Sequence, residues 1–359
     1  MSYIKKLIAV ALLAFTSMLV SAAEKSDLLP GDKSIVDFHV HVAGLGYGDS
    51  GCFINKEMRE NYRFKFYLMA MGVTLEELEK EGDQVLFRKI SKTVGESKSI
   101  SHAVILSMDG VINDNGELDK EQTQIYVPNK YVYEQTKKRK NLLFGASVNP
   151  NRPDAIEQLD KVHEQGAVLI KWIPSIMYID PSDPKLIPFY NRMIALDMPL
   201  LTHTGMEKSF SNAKDELADP MRLELPLSLG VNVIAAHIAT TGESEGEDNF
   251  ERILPMFKKY PNLYADISSL TQINKLPYME QALAASELKG RLIYGTDWPL
   301  QFFPLVSAWY HLDLVSIKQA WNIGKLDNQW DRDVALERAM GVDKAVFELG
   351  KKLIIKSNE

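Results

Sequence analysis

Four histidines and one aspartate lie where a metal centre would need its ligands. His39 and His41 end one short apolar run. His203 and His237 end two later runs, and Asp297 ends another. Imidazole and carboxylate groups bind zinc, and also manganese, iron and nickel. A single histidine at such a place is more often a packing residue, but four of the seven histidines share this placement. The pattern therefore predicts a divalent-metal site.

His39 and His41 are separated by one residue, which gives the pair a defined geometry. Side chains at positions i and i+2 of a β-strand point to the same face. Both imidazoles are therefore expected to face one site, while Phe38 and Val40 are expected to point outward into a layer of helices.

Eight apolar runs, separated by loops and amphipathic segments, predict the elements that position these residues. Such runs are typical of strands buried in a parallel sheet, and their alternation with helical segments predicts βαβ units. Eight units favour a closed (β/α)8 barrel of the α/β class, in which the carboxyl ends of all strands meet at the active-site face. The predicted strands are Ser34–Val40, His102–Met108, Leu142–Val148, Ala167–Ile173, Met198–His203, Val231–His237, Asn262–Ile267 and Arg291–Asp297.

The stretch between the first two predicted strands is longer than a crossover helix requires. A glycine-rich loop is followed there by charged, aromatic and methionine residues. We interpret residues 49–100 as an insertion, with helices over 55–97 that cap the mouth of the barrel. Residues 23–359 contain no linker that would divide them, so we expect one barrel domain.

Residues 1–22 have the pattern of a secretory signal peptide. Two lysines precede an apolar run over residues 7–20, and small residues follow it. The run is shorter than the ~20 residues of a typical membrane-spanning helix. We therefore expect cleavage after Ala22 or Ala23 and a periplasmic or secreted mature protein with no membrane segment.

Charge and cysteine content exclude several classes of protein. The formal net charge is −7 and no basic block is present, which argues against nucleic-acid binding. Cys52 is the only cysteine, which excludes an internal disulfide and a zinc site built from cysteines. A small-molecule substrate is the expected partner, and the sequence leaves open whether the protein forms a homo-oligomer.

The motifs around the candidate ligands resemble, in order, those of the amidohydrolase superfamily. The similarity is greatest to the amidohydrolase-related branch (amidohydrolase 2), which contains hydrolases and metal-dependent decarboxylases. It spans nearly all of the mature chain, and the first and last motifs are specific as a pair. The motifs are Val36–His41, Leu201–Gly205, Ala236–His237 and Tyr294–Pro299.

This resemblance implies roles for the five residues. His39 and His41 would bind the more buried metal together with Asp297, which would also act as the proton shuttle. His203 and His237 would bind a second metal, or His203 would join a single-metal site while His237 polarises the substrate. One or two divalent ions are implied, with zinc expected first and manganese as an alternative.

Lys171, near the end of the fourth predicted strand, has three possible roles. Some two-metal members of the superfamily carry a carboxylated lysine at such a position, where it bridges the ions. An unmodified lysine is cationic and would repel a metal. Lys171 is therefore a carboxylated bridging ligand, a partner of a carboxylate inside the barrel, or a binder of an anionic substrate group.

Large side chains just beyond the strand ends are candidates for the wall of a substrate pocket. Trp172, Met206 and Trp298 are the first choices. Weaker candidates near the site are Tyr178, Arg59, Arg63, Asp109 and Asp266.

Three kinds of function remain open at this stage. The first is hydrolysis of an amide, lactone or other ester by metal-activated water, with Asp297 as general base and then acid. The second is metal-dependent nonoxidative decarboxylation, which an arginine held over the metal would favour. The third is a non-catalytic metal or ligand binder, which a closed site without room for water would favour. Export favours the hydrolase.

Overall fold

The computed structural model describes residue 29 and residues 32–61 and 63–354. The predicted signal peptide, residues 1–22, lies outside the described residues, and the extent of the barrel domain over residues 23–359 stays a prediction. Among the described helices, none combines the length and the apolar character needed to cross a bilayer.

Eight parallel strands form a closed barrel, which confirms the predicted fold class. Strands β1 to β3 form one ladder and β4 to β8 another. Parallel bridges from Ala146 to Ile170 and from Val40 to Trp298 join the two ladders and close the ring. The strands are β1 (Ile35–His41), β2 (Ile100–Leu106), β3 (Leu142–Gly145), β4 (Ile170–Trp172), β5 (Leu200–His203), β6 (Val233–Ala236), β7 (Leu263–Asp266) and β8 (Leu292–Ile293).

Helices follow the strands and bury one face against the barrel. The helix after β6 is typical: Phe250, Ile253 and Phe257 are buried, and the Asp248 carboxylate caps its first turn. The helices are α1 (Lys56–Glu60), α2 (Arg63–Ala70), α3 (Leu75–Glu81), α4 (Gln84–Glu96), α5 (Asn129–Thr136), α6 (Ala155–Glu164), α7 (Pro174–Met177), α8 (Ile187–Ala195), α9 (Glu224–Leu229), α10 (Asn249–Lys259), α11 (Tyr278–Ala284), α12 (Ile317–Ile323), α13 (Gln329–Ala339) and α14 (Lys344–Ile354).

The predicted helical insertion is present, and it lies over the barrel mouth. Helices α1 to α4 fill most of the segment between β1 and β2. Asn212, in the loop after β5, donates a hydrogen bond to Glu57 of α1 over 2.8 Å. Phe66 of α2 contacts Phe302, in the loop after β8, with 5.1 Å between ring centroids. The insertion therefore joins loops from two sides of the barrel.

A β-bulge in β1 corrects the prediction for Phe38. Asp37 pairs with Ala103 and Val40 with Ile105, so two residues of β1 face one residue of β2. The extra residue shifts the alternation, and Phe38 points into the barrel rather than outward. It belongs there to an interior cluster with Val36, Val104, Leu106, Leu169, Leu201, Ile234, Ala236 and Ile293. Val40 packs in the outer layer, as predicted.

Helix α14 covers the amino-terminal end of the barrel. Its Leu349 and Leu353 pack against the interior cluster, and its Gly350 lies against the Phe38 ring. This contact leaves no room for a side chain, because a Cβ on Gly350 would lie 2.7 Å from Cδ2 of Phe38.

We expect Gly350→Ala to lower the free energy of unfolding by about 1–3 kcal/mol, because the added methyl group overlaps the Phe38 ring. Urea denaturation followed by circular dichroism measures this effect. Gly95→Ala, also in a helix, is the control, because its Cβ would lie 3.8 Å from the nearest atom, on Asn141. The control is expected to be neutral or to stabilise by up to ~1 kcal/mol. Equal stability of the two variants would contradict the packing described here.

Candidate functional site

His39, His41 and Asp297 converge at the carboxyl end of the barrel. The Nε2 atoms of the two histidines lie 3.0 Å apart. Oδ1 of Asp297 lies 3.6 Å from Nε2 of His39 and 3.4 Å from Nε2 of His41. His39 is fully buried, while His41 and Asp297 are 17% and 13% exposed. The three predicted ligands are therefore neighbours, and two of them are accessible from the mouth.

The spacing of these three atoms fits a divalent ion. Donor atoms about 2 Å from a tetrahedral ion lie ~3.3 Å from one another. The observed separations of 3.0, 3.4 and 3.6 Å are close to that value. Nδ1 of His41 and Nε2 of His203 are also buried without a hydrogen-bond partner among the described residues. This set of donors therefore fits a metal centre.

Asp266, at the end of β7, fixes the orientation of His39. Nδ1 of His39 lies 2.8 Å from Oδ2 of Asp266, so its N–H donates to the carboxylate and Nε2 carries the lone pair. Metal-binding histidines commonly make this second hydrogen bond. The other oxygen of Asp266 accepts from the backbone N–H of His237 and from Ser268. Asp266 therefore acts on the site by orienting a ligand, although its oxygens are also close enough to His39 and His237 to form a second donor group.

Burial keeps His39 in the neutral form that binds metals. Its pKa is lowered well below the ordinary value, first by desolvation and then by the positive charge of Lys171. The pKa of His203 and that of His237 are lowered for the same leading reason. Three of the four predicted histidine ligands are thus held unprotonated near neutral pH by their surroundings.

His237 follows β6 on a strained turn. His237, Ile238 and Ala239 have φ angles of 58°, 53° and 53°, in the left-handed region that residues with a Cβ seldom occupy. Nδ1 of His237 lies 3.1 Å from the carbonyl oxygen of Ser268 and donates to it. This assignment leaves the lone pair on Nε2. In the neutral ring, Nε2 can therefore bind a metal or accept a proton, but it cannot donate a hydrogen bond.

His203 lies beside this group and is not part of the close ligand cluster. Its ring centroid is 5.3 Å from that of His237. Oε2 of Glu207 lies 3.5 Å from its Nε2. Glu207 was not identified from the sequence, because it lies in an irregular loop four residues beyond the strand end. His203, His237 and Glu207 together could supply ligands for a second ion.

Lys171 points into the same centre from β4. It is fully buried, and its Nζ lies 2.9 Å from Nε2 of His39. No carboxylate of the described residues lies within ion-pair distance of it, so the predicted carboxylate partner is absent from that part of the chain. Burial lowers the pKa of Lys171 to about 8.

A second buried lysine, Lys275, was missed by the sequence analysis. It ends the short helical turn Ile273–Lys275 beyond β7, and its Nζ donates to Oγ of Ser269 over 2.9 Å. Burial lowers its pKa to about 8, and carboxylates of the site, Asp297 first, oppose that shift. No spacing motif marks this lysine in the sequence, because loop length determines its position.

The two tryptophans predicted for the pocket wall lie elsewhere, so this prediction was wrong. Trp172 is buried among the outer helices, where its Nε1 donates to the Val148 carbonyl. It follows Lys171 in the strand, and alternation turns it away from the barrel interior. Trp298 is buried and stacked on Trp330, with 6.2 Å between ring centroids. Neither side chain faces the cavity.

Of the other wall candidates, only Met206 lines the cavity. Arg59 donates to backbone carbonyls of Ile54 and Leu45, and Arg63 donates to that of Lys208. Asp109 forms a buried ion pair with Arg152. Tyr178 lies under the Lys214 ammonium, 3.7 Å from its ring centroid.

A deep cavity begins at the candidate metal centre and continues beneath the insertion. It encloses about 1360 Å³, including the part open to solvent. His41, Lys171, His203, His237, Lys275 and Asp297 lie at its polar end. The insertion contributes mainly apolar side chains to its wall. A small molecule can therefore reach the metal ligands with part of its surface buried.

One solved structure, with a TM-score above 0.5, supports the barrel fold, and two others are similar at lower scores. An uncharacterised TIM-barrel protein from Bordetella bronchiseptica matches with 17% identity and a TM-score of 0.51, over 85% of this chain and 99% of that one. A probable 2-pyrone-4,6-dicarboxylic acid hydrolase from Acinetobacter baumannii matches with 13% identity and a TM-score of 0.49, over 88% and 99%. The 5-carboxyvanillate decarboxylase of Sphingomonas paucimobilis matches with 9% identity and a TM-score of 0.47, over 90% and 99%.

A comparison with curated protein sequences gives no match. A family model described as Amidohydrolase matches residues 36–334, which include all eight strands except Ile35, the insertion and every candidate ligand. This match confirms the resemblance seen in the motifs. The chain therefore belongs to the amidohydrolase 2 family and is an enzyme of the metal-dependent amidohydrolase superfamily.

Proposed function

We propose that this protein hydrolyses an amide, lactone or other ester of a small molecule at a divalent-metal centre. The observation that carries the proposal is the convergence of His39, His41 and Asp297, whose donor atoms lie 3.0–3.6 Å apart beside a deep cavity. Hydrolysis needs space for both water and substrate next to the ligands, and the cavity supplies it.

His39, His41 and Asp297 would hold the ion, and Asp266 keeps His39 in the correct orientation. When bound there, a divalent ion would supply a Lewis acid for the scissile carbonyl and would lower the pKa of water toward ~7. Zinc is the ion we propose, because two imidazoles and a carboxylate suit it, and manganese is the alternative. Lys171 would complete a two-ion site as a carbamate, or remain an ammonium beside a single ion.

Asp297 is proposed as the residue that moves the proton. Its carboxylate faces the cavity and is partly exposed, so it can accept a proton from water and pass it to the leaving group. His237 offers its Nε2 lone pair to the same space, as a ligand of a second ion or as a group that contacts the substrate.

Decarboxylation and simple binding are the alternatives. The arginine expected for a decarboxylase is missing from the described cavity wall, because Arg59 and Arg63 are turned to backbone carbonyls. A protein that only holds a metal would need no open cavity, and one that only binds a ligand would need no exposed acid–base carboxylate beside the metal ligands. Both observations favour hydrolysis.

We further propose that the protein acts outside the cytoplasm on a small molecule, after export directed by residues 1–22. Amino-terminal sequencing of protein recovered from the periplasm or the medium is expected to begin at Ala23 or Glu24. Retention of Met1 in the recovered protein would contradict this part of the proposal.

We expect His41→Ala to weaken zinc binding at least tenfold, because it removes one of three ligand side chains. Zinc content after dialysis against a competing chelator, measured by elemental analysis, tests this. His163→Ala is the matched control, because His163 lies exposed on α6, and it is expected to retain zinc. Loss of zinc from both variants, or from neither, would contradict the assigned centre.

We expect Asp297→Asn to lower kcat at least ~100-fold, because an amide cannot accept and return the proton. Turnover is measured with a panel of chromogenic esters, lactones and N-acyl amides, alongside zinc content and circular dichroism. The exposed Asp313→Asn is the control and is expected to behave as wild type. Wild-type turnover in Asp297→Asn would remove this residue from the chemistry, and carbon dioxide release without hydrolysis would identify a decarboxylase.

A further inference from the structure

Lys275 is a buried cation at the polar end of the cavity. Its residue is only 6% exposed, yet its side chain contributes to the cavity wall close to Asp297 and His237. Ser269 is the single hydrogen-bond partner of its Nζ among the described residues. An ammonium group has three N–H donors, so two remain available to a ligand. Burying a cation without an anionic group in ion-pair contact costs free energy. A ligand with an anionic group would offset this cost by pairing with the ammonium.

The charges around Lys275 leave a positive excess when a divalent ion is bound together with neutral water. Glu207, Asp266 and Asp297 carry three negative charges, while Lys171 and Lys275 carry two positive charges. One divalent ion therefore leaves this group with a net charge of +1. Because the surroundings are buried, this excess favours an anionic ligand over a neutral one.

The opposite part of the cavity wall is apolar. Met58, Phe64, Tyr67, Leu68 and Met71 line it from the insertion, and Phe210 lines it from the loop after β5. No arginine of the described chain reaches this wall. A ligand that extends from the metal centre into this region buries hydrocarbon rather than polar groups.

We propose that the substrate is an apolar molecule with a carboxylate, that Lys275 binds this carboxylate, and that the insertion buries the hydrocarbon part. This inference rests on the proposed function in taking the cavity as the substrate site. It adds the substrate class and a residue that determines specificity. The carboxylate is a recognition group here, separate from the amide or ester bond that is cleaved.

Binding of octanoate and of octanamide, measured by calorimetry on zinc-loaded protein, tests the role of Lys275. The two probes have the same chain and differ in charge. We expect Lys275→Met to weaken octanoate binding at least tenfold and to leave octanamide binding unchanged. Lys275→Arg, which keeps the charge, is expected to retain octanoate binding within about threefold. The exposed Lys289→Met is the matched control for loss of one positive charge and is expected to bind as wild type.

Equal octanoate binding by wild type and Lys275→Met would overturn the inference, because the carboxylate would then be held by the metal or elsewhere. Folding of each variant is checked by circular dichroism, and the Arg variant provides a second, charge-retaining test. Lys275-dependent binding of octanoate in a protein that hydrolyses no ester, lactone or amide would support the inference and contradict the proposed function. The protein could instead hydrolyse substrates at the same rate with or without a carboxylate and bind octanoate independently of Lys275. That result would support the proposed function and contradict the inference.

The hydrocarbon part of the inference has its own test. Affinity is expected to rise from butanoate to hexanoate to octanoate by about fourfold per added methylene. This is the gain expected when each methylene group is fully buried. Leu68→Gln, on the apolar wall, is expected to flatten this dependence. Leu75→Gln, an exposed leucine of the same insertion, is the matched control and is expected to preserve it. Affinity independent of chain length in the wild-type protein would overturn the assignment of the apolar wall.

Discussion

The buried carboxylate of Asp37 joins the first strand of the barrel to the loop after the last strand, and both of these segments carry metal ligands. One oxygen accepts from the backbone N–H groups of His39 and Thr296, each over 3.0 Å. The other accepts from the Thr296 hydroxyl and from Nε1 of Trp330. A buried carboxylate requires such donors, and here they come from β1, from the loop after β8 and from α13. Asp297 follows Thr296 directly, so its distance from His39 and His41 depends on this network.

The sequence was sufficient to predict the barrel and the positions of most candidate ligands. The carboxyl ends of the strands in a parallel barrel meet on one face, whatever the length and conformation of the loops. The positions of His39, His203, His237 and Asp297 at strand ends were therefore enough to group them. The bulge in β1 was not predictable, because an extra residue leaves no mark on an apolar run. It reversed the orientation of Phe38 and left that of His39 and His41 unchanged.

Residues outside the strands were predicted less well, for a different reason. Glu207 and Lys275 reach the site from a loop and a short turn beyond the strands, where no periodicity relates a residue to a direction. Trp172 lies near a strand end, which predicts a place in the pocket wall, but alternation along β4 overrides that position. Its neighbour Lys171 points inward, so Trp172 points outward.

In the function proposed here, the metal chemistry and the binding of the hydrocarbon part of the substrate would be carried by different parts of the chain. Ligands lie at strand ends, where backbone ladders fix them, and the apolar wall lies on the insertion, which the ladders do not include. This arrangement allows the insertion to change in size and composition while the metal centre stays intact. Under this proposal, the size of the hydrocarbon group that the substrate carries would be set mainly by one continuous segment of the sequence.

The turn after β6 has a consequence for engineering this enzyme. Three successive residues with a Cβ, His237, Ile238 and Ala239, occupy left-handed backbone conformations, each at a cost of order 1–3 kcal/mol. The Asp266 carboxylate and the Ser268 carbonyl hold the turn in place. Replacing Ala239 by glycine would relieve part of this cost with the loss of one methyl group, whereas glycine at the fully buried Ile238 would also remove a packed side chain. The change at Ala239 would also loosen the His237 ring, so a gain in thermostability here would come with a loss of turnover.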